Sequence, residues 1–153
     1  MNKSRRVTVR GIIFHGGKLL VTRFKMADGS ESDFWGTFGG GVDDGEALID
    51  ALKREMIEET AISPKVGKLL FIQQFGEKNK ENLEFFFQIE NPLDYESINF
   101  ETTTHGAIEL TRSEFLDPSK HNILPAFLQE IDIHDYIIND RPVYMYSELP
   151  VNN

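Results

Sequence analysis

The chain has 153 residues, 40% hydrophobic and 27% charged, ordinary values for a globular protein and enough length for a single domain, 1–153, with its own core. Cysteine is absent, which removes disulfides and thiol chemistry and agrees with a reducing, cytoplasmic setting. The net charge of −9 argues against a nucleic-acid duplex as partner, because duplex binding relies on Lys and Arg along the phosphates; no run approaches the ~20 apolar residues of a membrane span. In chain order, the basic start is cut by Arg10 and Gly11 before any leader-length apolar stretch, so no secretory signal is expected. Val7 to Phe14 alternates as a strand, HGGK supplies a turn, and Leu19 to Phe24 reads as the second arm of a hairpin. The polar loop KMADGSESD follows, then Phe34, Trp35 and Phe38 lead into the glycines Gly39 to Gly41. A helix is expected from about Glu46 to Thr60, capped by Asp44 or Gly45. Val66 to Phe75 and Leu83 to Ile89 flank GEKNKEN as a second hairpin, Gly106 to Leu110 reads as a short strand, Asn122 to Ile131 as a helix and PVYMYSEL as a last strand. The mixture predicts an α/β fold in which helices cover a mixed sheet.

The helix changes character along its length. On a helical wheel Ala47, Leu48, Ala51 and Leu52 share one side, Asp50, Lys53 and Arg54 the other, and the apolar side continues downward into Glu55, Glu58 and Glu59. Spacings of three and four make those carboxylates near neighbours. A Glu-rich helix end is commonly a solvated face paired with Lys or Arg. Here, however, the acids follow the buried stripe, where like charges are costly unless protonated or bound to a cation. A hard divalent ion, Mg²⁺ or Mn²⁺, relieves that cost through carboxylate, carbonyl and water oxygens.

Other loop-helix motifs fail on residue identity. A phosphate-cradling loop needs Gly-Lys-Ser/Thr, whereas this one ends Asp-Asp-Gly-Glu. A calcium loop centred on Gly45 would place Gly40, Val42 and Ala51 at acidic positions. One pattern fits: Gly40, Glu46, Arg54, Glu55, Met56, Glu58, Glu59 and Ile62 resemble the signature of the Nudix hydrolases, G-x5-E-x7-R-E-U-x-E-E-x-G-U with U a bulky aliphatic. Ala61 replaces the second signature glycine, and Phe38 replaces a proline common in the lead-in. The resemblance, MutT-like over most of the chain, implies the Nudix fold, an α/β/α sandwich around a mixed β-sheet, with the box as a loop-helix-loop. It also implies a metal-dependent hydrolase. Water would attack phosphorus in the pyrophosphate of a small-molecule nucleoside diphosphate linked to another moiety. On the same footing Glu55, Glu58 and Glu59 become metal ligands, one of them a base, and the Gly40 carbonyl a further ligand. Arg54 becomes the arginine that orients a box glutamate, or a surface ion pair, and Glu46 a residue of loop architecture.

Outside the box, Arg23, Lys25 and Phe38 are candidates to line a substrate pocket. Glu101 lies roughly where many family members supply a further carboxylate, but no motif fixes it and a solvated loop acid is the favoured reading. Trp35 is expected in the core, and the four histidines show no ligand spacing. Phe85, Phe86 and Phe87 are consecutive, so at least one must face away from the others. A noncatalytic module that senses nucleotide metabolites or binds a protein is the alternative reading; it predicts lost box glutamates, which are all present. A homodimer is compatible with either reading.

Overall fold

A computed structural model describes residues 4–149 of the chain. Its strands are β1 (Ser4–Ile12), β2 (Phe14–His15), β3 (Lys18–Phe24), β4 (Gly39–Gly41), β5 (Val66–Glu77), β6 (Lys80–Ile89), β7 (Leu110–Leu116) and β8 (Tyr144–Ser147). Its helices are α1 (Leu48–Thr60), α2 (Gly106–Glu109) and α3 (Ile133–Ile138), with short 3₁₀ turns between them. A five-stranded sheet runs β4-β1-β6-β5-β8 and a three-stranded sheet β2-β3-β7. In the larger sheet β1 pairs parallel with β6 and β5 parallel with β8, while the remaining pairs are antiparallel. The sheet is thus mixed, as expected.

The expected first hairpin is different in detail. The extended run from Val7 does not stay in one sheet: it breaks at Ile13, so β1 enters the larger sheet and β2 pairs with β3 across Gly16 and Gly17. Both glycines hold positive φ, 59° and 77°, which a side chain would resist. The second hairpin is longer than expected, because Glu77 opposes Lys80 and the turn shrinks to Lys78 and Asn79.

Two apolar clusters meet the two faces of the larger sheet. Ala51, Leu52 and Met56 of α1 pack with Val9, Phe87 and Ile89, while Phe71 and Phe86 pack with Phe127, Leu128 and Ile133. Phe86 and Phe87 therefore divide between the faces, as strand alternation requires. Gly11 sits under α1 so closely that a Cβ there would lie 2.8 Å from Met56 Sδ.

Three expected elements need correction, and one helix is additional. α1 begins at Leu48, with extended Ala47 at the cap position and no side-chain cap, because alanine has no oxygen to offer the first-turn N–H groups. The expected strand Gly106 to Leu110 is instead the helical turn Gly106–Glu109, and the strand starts only at Leu110 as β7. The expected Asn122 to Ile131 helix is only the 3₁₀ turn Ala126–Gln129, since Pro125 is extended at ψ 148° and cannot donate to a preceding turn. Helix α3 was not expected from the sequence; the Asp132 side chain caps it by accepting from Asp135 N. Among the described residues no helix is long and apolar enough to cross a membrane.

Candidate active site

Strand β4 brings the glycine loop against β1, with Arg10 opposite Gly39 and Val9 opposite Gly40. Gly39 has φ 141°, and a Cβ there would strike the Val9 carbonyl. At Gly40 a Cβ would lie 2.5 Å from the Glu55 carboxyl carbon. Both glycines are needed, the first for its backbone and the second because a carboxylate lies against it.

Arg54 ties the loop to the helix. Its Nε and Nη2 donate to the two Glu46 oxygens, each at 2.9 Å, and Nη2 also donates to the Gly41 carbonyl at 2.9 Å. Such a two-point pair fixes direction as well as distance. Nη1 then reaches Glu55 Oε1 at 3.0 Å and Glu58 Oε2 at 3.5 Å. The arginine orients two box glutamates, and Glu46 accepts from Asp43 N as well. Arg54 holds the Glu46 carboxyl down at about 2.

The three acids have unlike surroundings. Glu59 is 2% exposed, and its Oε1 accepts from Gly39 N at 2.8 Å. Burial pushes its pKa up to about 8, with the charges of Glu55 and Glu109 adding and the Gly39 N–H and Arg10 opposing. Burial also raises Glu55, against the pull of Arg54, and Glu58 and Glu109 add to the rise. Glu58 Oε2 lies 3.1 Å from His105 Nδ1, and the His105 backbone N–H donates to the Glu58 carbonyl at 2.9 Å. This docks α2 on the end of α1 so tightly that a Cβ on Gly106 would collide with the Glu59 carbonyl and Thr103 Oγ1.

Among the described residues no three Asp, Glu or His side chains converge as a ready-made cage for an ion. Arg54, His105 and Gly39 N hold the carboxylates instead. The donor set nevertheless suits a hard divalent cation in kind. All its atoms are oxygens, and burial raises the pKa of Glu55 and Glu59 despite the opposing pull of Arg54 and Arg10.

A cavity of about 360 Å³ opens between the two sheets, lined by Arg10, Thr37, Gln73, Glu84 and aromatic rings including Phe24 and Phe34. Thr37 is only three residues before Gly40, so the wall of the cavity runs directly into the box. The expected pocket residues are placed differently from that cavity. Phe38 is fully buried against α1, with its ring 6.4 Å from Phe100, and does not line the cavity; the Gly11 N–H to Phe38 carbonyl bond holds the chain in that setting. Arg23 faces the other side of β3 from Phe24, with its guanidinium 4.5 Å from the Trp35 ring centre and Nη1 bonded to the Ser32 carbonyl. Lys25 Nζ donates to the Ala107 carbonyl on α2, near the box rather than in the cavity. Glu101 is exposed on a 3₁₀ turn, its N–H bonded to Asn99 Oδ1, and no contact with the box carboxylates is seen among the described residues. Trp35 is buried, as expected.

The residues missed in the sequence are Glu109 and His105 beside the box, and Arg10, Gln73 and Glu84 in the cavity. The last three left a signal: polar side chains at inward positions of otherwise apolar strands.

The NUDIX domain family profile matches residues 4–131. The chain resembles the solution structure of the E. coli ORF135 protein, at 19% identity and TM-score 0.68 over 91% of this chain and 96% of that one. It also resembles a UDP-X diphosphatase, at 18% identity and TM-score 0.67 over 93% of this chain and 67% of that one. An ADP-ribose pyrophosphatase from Streptococcus suis is similar at 14% identity and TM-score 0.56, over 92% and 98%. No curated protein matches.

Proposed function

The chain belongs to the NUDIX family, and from that premise we propose that it is a metal-dependent pyrophosphohydrolase acting on a nucleoside diphosphate linked to another moiety. The observation that carries the reading is the Arg54 clamp, which binds Glu46 and Gly41 of the loop and Glu55 and Glu58 of the helix at once. A salt bridge serving stability alone has no need to align two acids beside a buried third. The relatives named as UDP-X diphosphatase and ADP-ribose pyrophosphatase support cleavage of a phosphoanhydride.

Glu55, Glu58 and Glu59, with the Gly40 carbonyl, would hold Mg²⁺ or Mn²⁺, which when bound polarises phosphoryl oxygen and neutralises the charge of the substrate. The protein's own groups set the rest. Arg54 keeps Glu55 Oε1 occupied and leaves Oε2 without a partner among the described residues. That free oxygen and a raised pKa make Glu55 the candidate to take a proton from the attacking water. Glu59 is too enclosed for that role and serves as a ligand. His105 positions Glu58 through its Nδ1 contact. Arg23, Phe38 and Glu101 have no assigned part in this chemistry, and Lys25 acts by fastening α2.

The test is a panel of nucleotide sugars, dinucleoside polyphosphates, nucleoside triphosphates and nucleotide cofactors, with and without Mg²⁺ or Mn²⁺. Metal-dependent release of a nucleoside monophosphate, lost in Glu58→Gln, supports the proposal. Tight binding with no turnover would mark a noncatalytic sensor instead.

A further inference from the structure

The cavity beside the box has a polar floor that hydrolysis does not use. Gln73 on β5 and Glu84 on β6 are directly opposite in register, which sets their Cβ atoms roughly 4.5 to 5.5 Å apart on one face. They are 7% and 9% exposed and both line the cavity. Gln73 Oε1 is buried without a hydrogen-bond partner among the described residues. Glu84 Oε2 accepts from Thr8 Oγ1 at 3.0 Å and Arg10 Nε at 3.1 Å, and Oε1 has no partner among the described residues. Leaving a buried acceptor unmade is costly, and a core position on this face would be filled by an apolar side chain, as at Phe71 and Phe86. Gln73 Oε1 is such a buried acceptor, and Glu84 Oε1 beside it makes no hydrogen bond among the described residues. Above them Phe24 and Phe34, with ring centres 5.8 Å apart, and Phe86 supply flat walls.

We propose that this floor reads a nucleobase carrying an exocyclic amino group, with Gln73 as the specificity-determining residue. The inference rests on the pyrophosphohydrolase reading for the presence of a nucleotide and adds which bases are taken. An amino group donates to Gln73 Oε1 and to the neighbouring Glu84 oxygen. A carbonyl at the same place meets a carboxylate that offers only acceptors. The Gln73 amide could turn its nitrogen inward, but Glu84 has no such option. Arg10 joins the floor to the box, since its Nη1 donates to the Thr37 and Gly39 carbonyls. Thr37 to Gly40 spans at most ~11 Å of extended chain. A base on the floor thus leaves its ribose and diphosphate directed along Thr37 toward Gly40 and Glu55.

The experiment is calorimetric titration of the whole chain in EDTA with two nucleotide pairs, CMP against UMP and GMP against IMP, each differing at one amino group. The amino member is expected to bind more tightly in both pairs, by at least ~10-fold in one, because a site built for a donor discriminates strongly against its loss. Gln73→Met should narrow both ratios, and Gln73→Met combined with Glu84→Gln should bring them to within ~2-fold, while Gln73→Glu, which keeps an acceptor, should preserve them. Equal affinities within each pair, no binding at all, or unchanged ratios in Gln73→Met would overturn the inference. Because no metal or turnover is involved, an amino preference in a chain that hydrolyses nothing defeats the enzyme reading alone. Hydrolysis without the preference defeats this one alone.

Discussion

Replacing Glu59 by Gln should stabilise the metal-free protein while destroying its activity, and the stabilisation should depend on pH. The Glu59 carboxyl is pushed up to about 8 by burial, against an ordinary value of 4.5 in the unfolded chain. Below pH 4.5 both states carry the proton and the group contributes nothing. Between pH 4.5 and about 8 the unfolded chain releases the proton and the folded chain retains it, so stability falls as pH rises. At about pH 7 the cost is about 3 to 4 kcal/mol, from roughly 2.5 pH units at ~1.4 kcal/mol each. The amide of the Glu59→Gln variant keeps an oxygen for the Gly39 N–H and has no proton to lose. For a chain of this size the gain corresponds to roughly 7 to 14 °C in Tm at about pH 7, shrinking toward zero near pH 4.5. Thermal unfolding in EDTA from about pH 4.5 to 8.5, for both proteins, reads this directly. Saturating Mn²⁺ should raise the wild-type Tm increasingly with pH and leave the variant nearly unmoved, since binding to the folded state alone stabilises it. Parallel pH profiles for the two proteins in EDTA would refute the buried-acid reasoning.

Gly40→Ala places a methyl group on the Glu55 carboxyl and should lower kcat by ~100-fold, since misplacing a catalytic group by about 1 Å has that effect; circular dichroism should be unchanged. Arg54→Lys keeps the charge but loses the two-point pair with Glu46, and kcat is expected to fall ~10- to 100-fold with weaker Mn²⁺ binding by calorimetry. Ala61 ends α1 at φ 61°, a conformation that costs a β-carbon roughly 1 kcal/mol. Ala61→Gly should therefore raise Tm by ~2 to 4 °C without changing kcat. A Tm that falls would show that Ala61 is not strained.

The box was legible because its residues are compressed into consecutive turns: helix spacing sets Glu55, Glu58 and Glu59 on adjoining turns at one end of α1, and Gly40 precedes them by a fixed loop. The sheet order was not, since nothing local says that the chain changes sheets at Ile13 or that β1 lies beside β6. Pro125 reads as a first-turn helix residue, and only the packing of Phe127 and Leu128 on Phe71 and Phe86 decides for a short turn instead. Distant partners were hidden for the same reason. His105 reaches Glu58 only because Gly106 lets α2 press on the end of α1. Phe38 illustrates the reverse error: an aromatic beside a glycine loop looks available for stacking, yet the β4 pairing turns it into the core.

Hydrolysis in ¹⁸O water with Mg²⁺, with products read by mass, probes the pyrophosphohydrolase reading at the bond that breaks. At least one nucleoside diphosphate derivative should be cleaved at its anhydride, with one ¹⁸O on a single phosphorus and turnover lowered by at least ~100-fold in Glu58→Gln. No ¹⁸O in any phosphate product across the panel, or equal turnover by the variant, would contradict it.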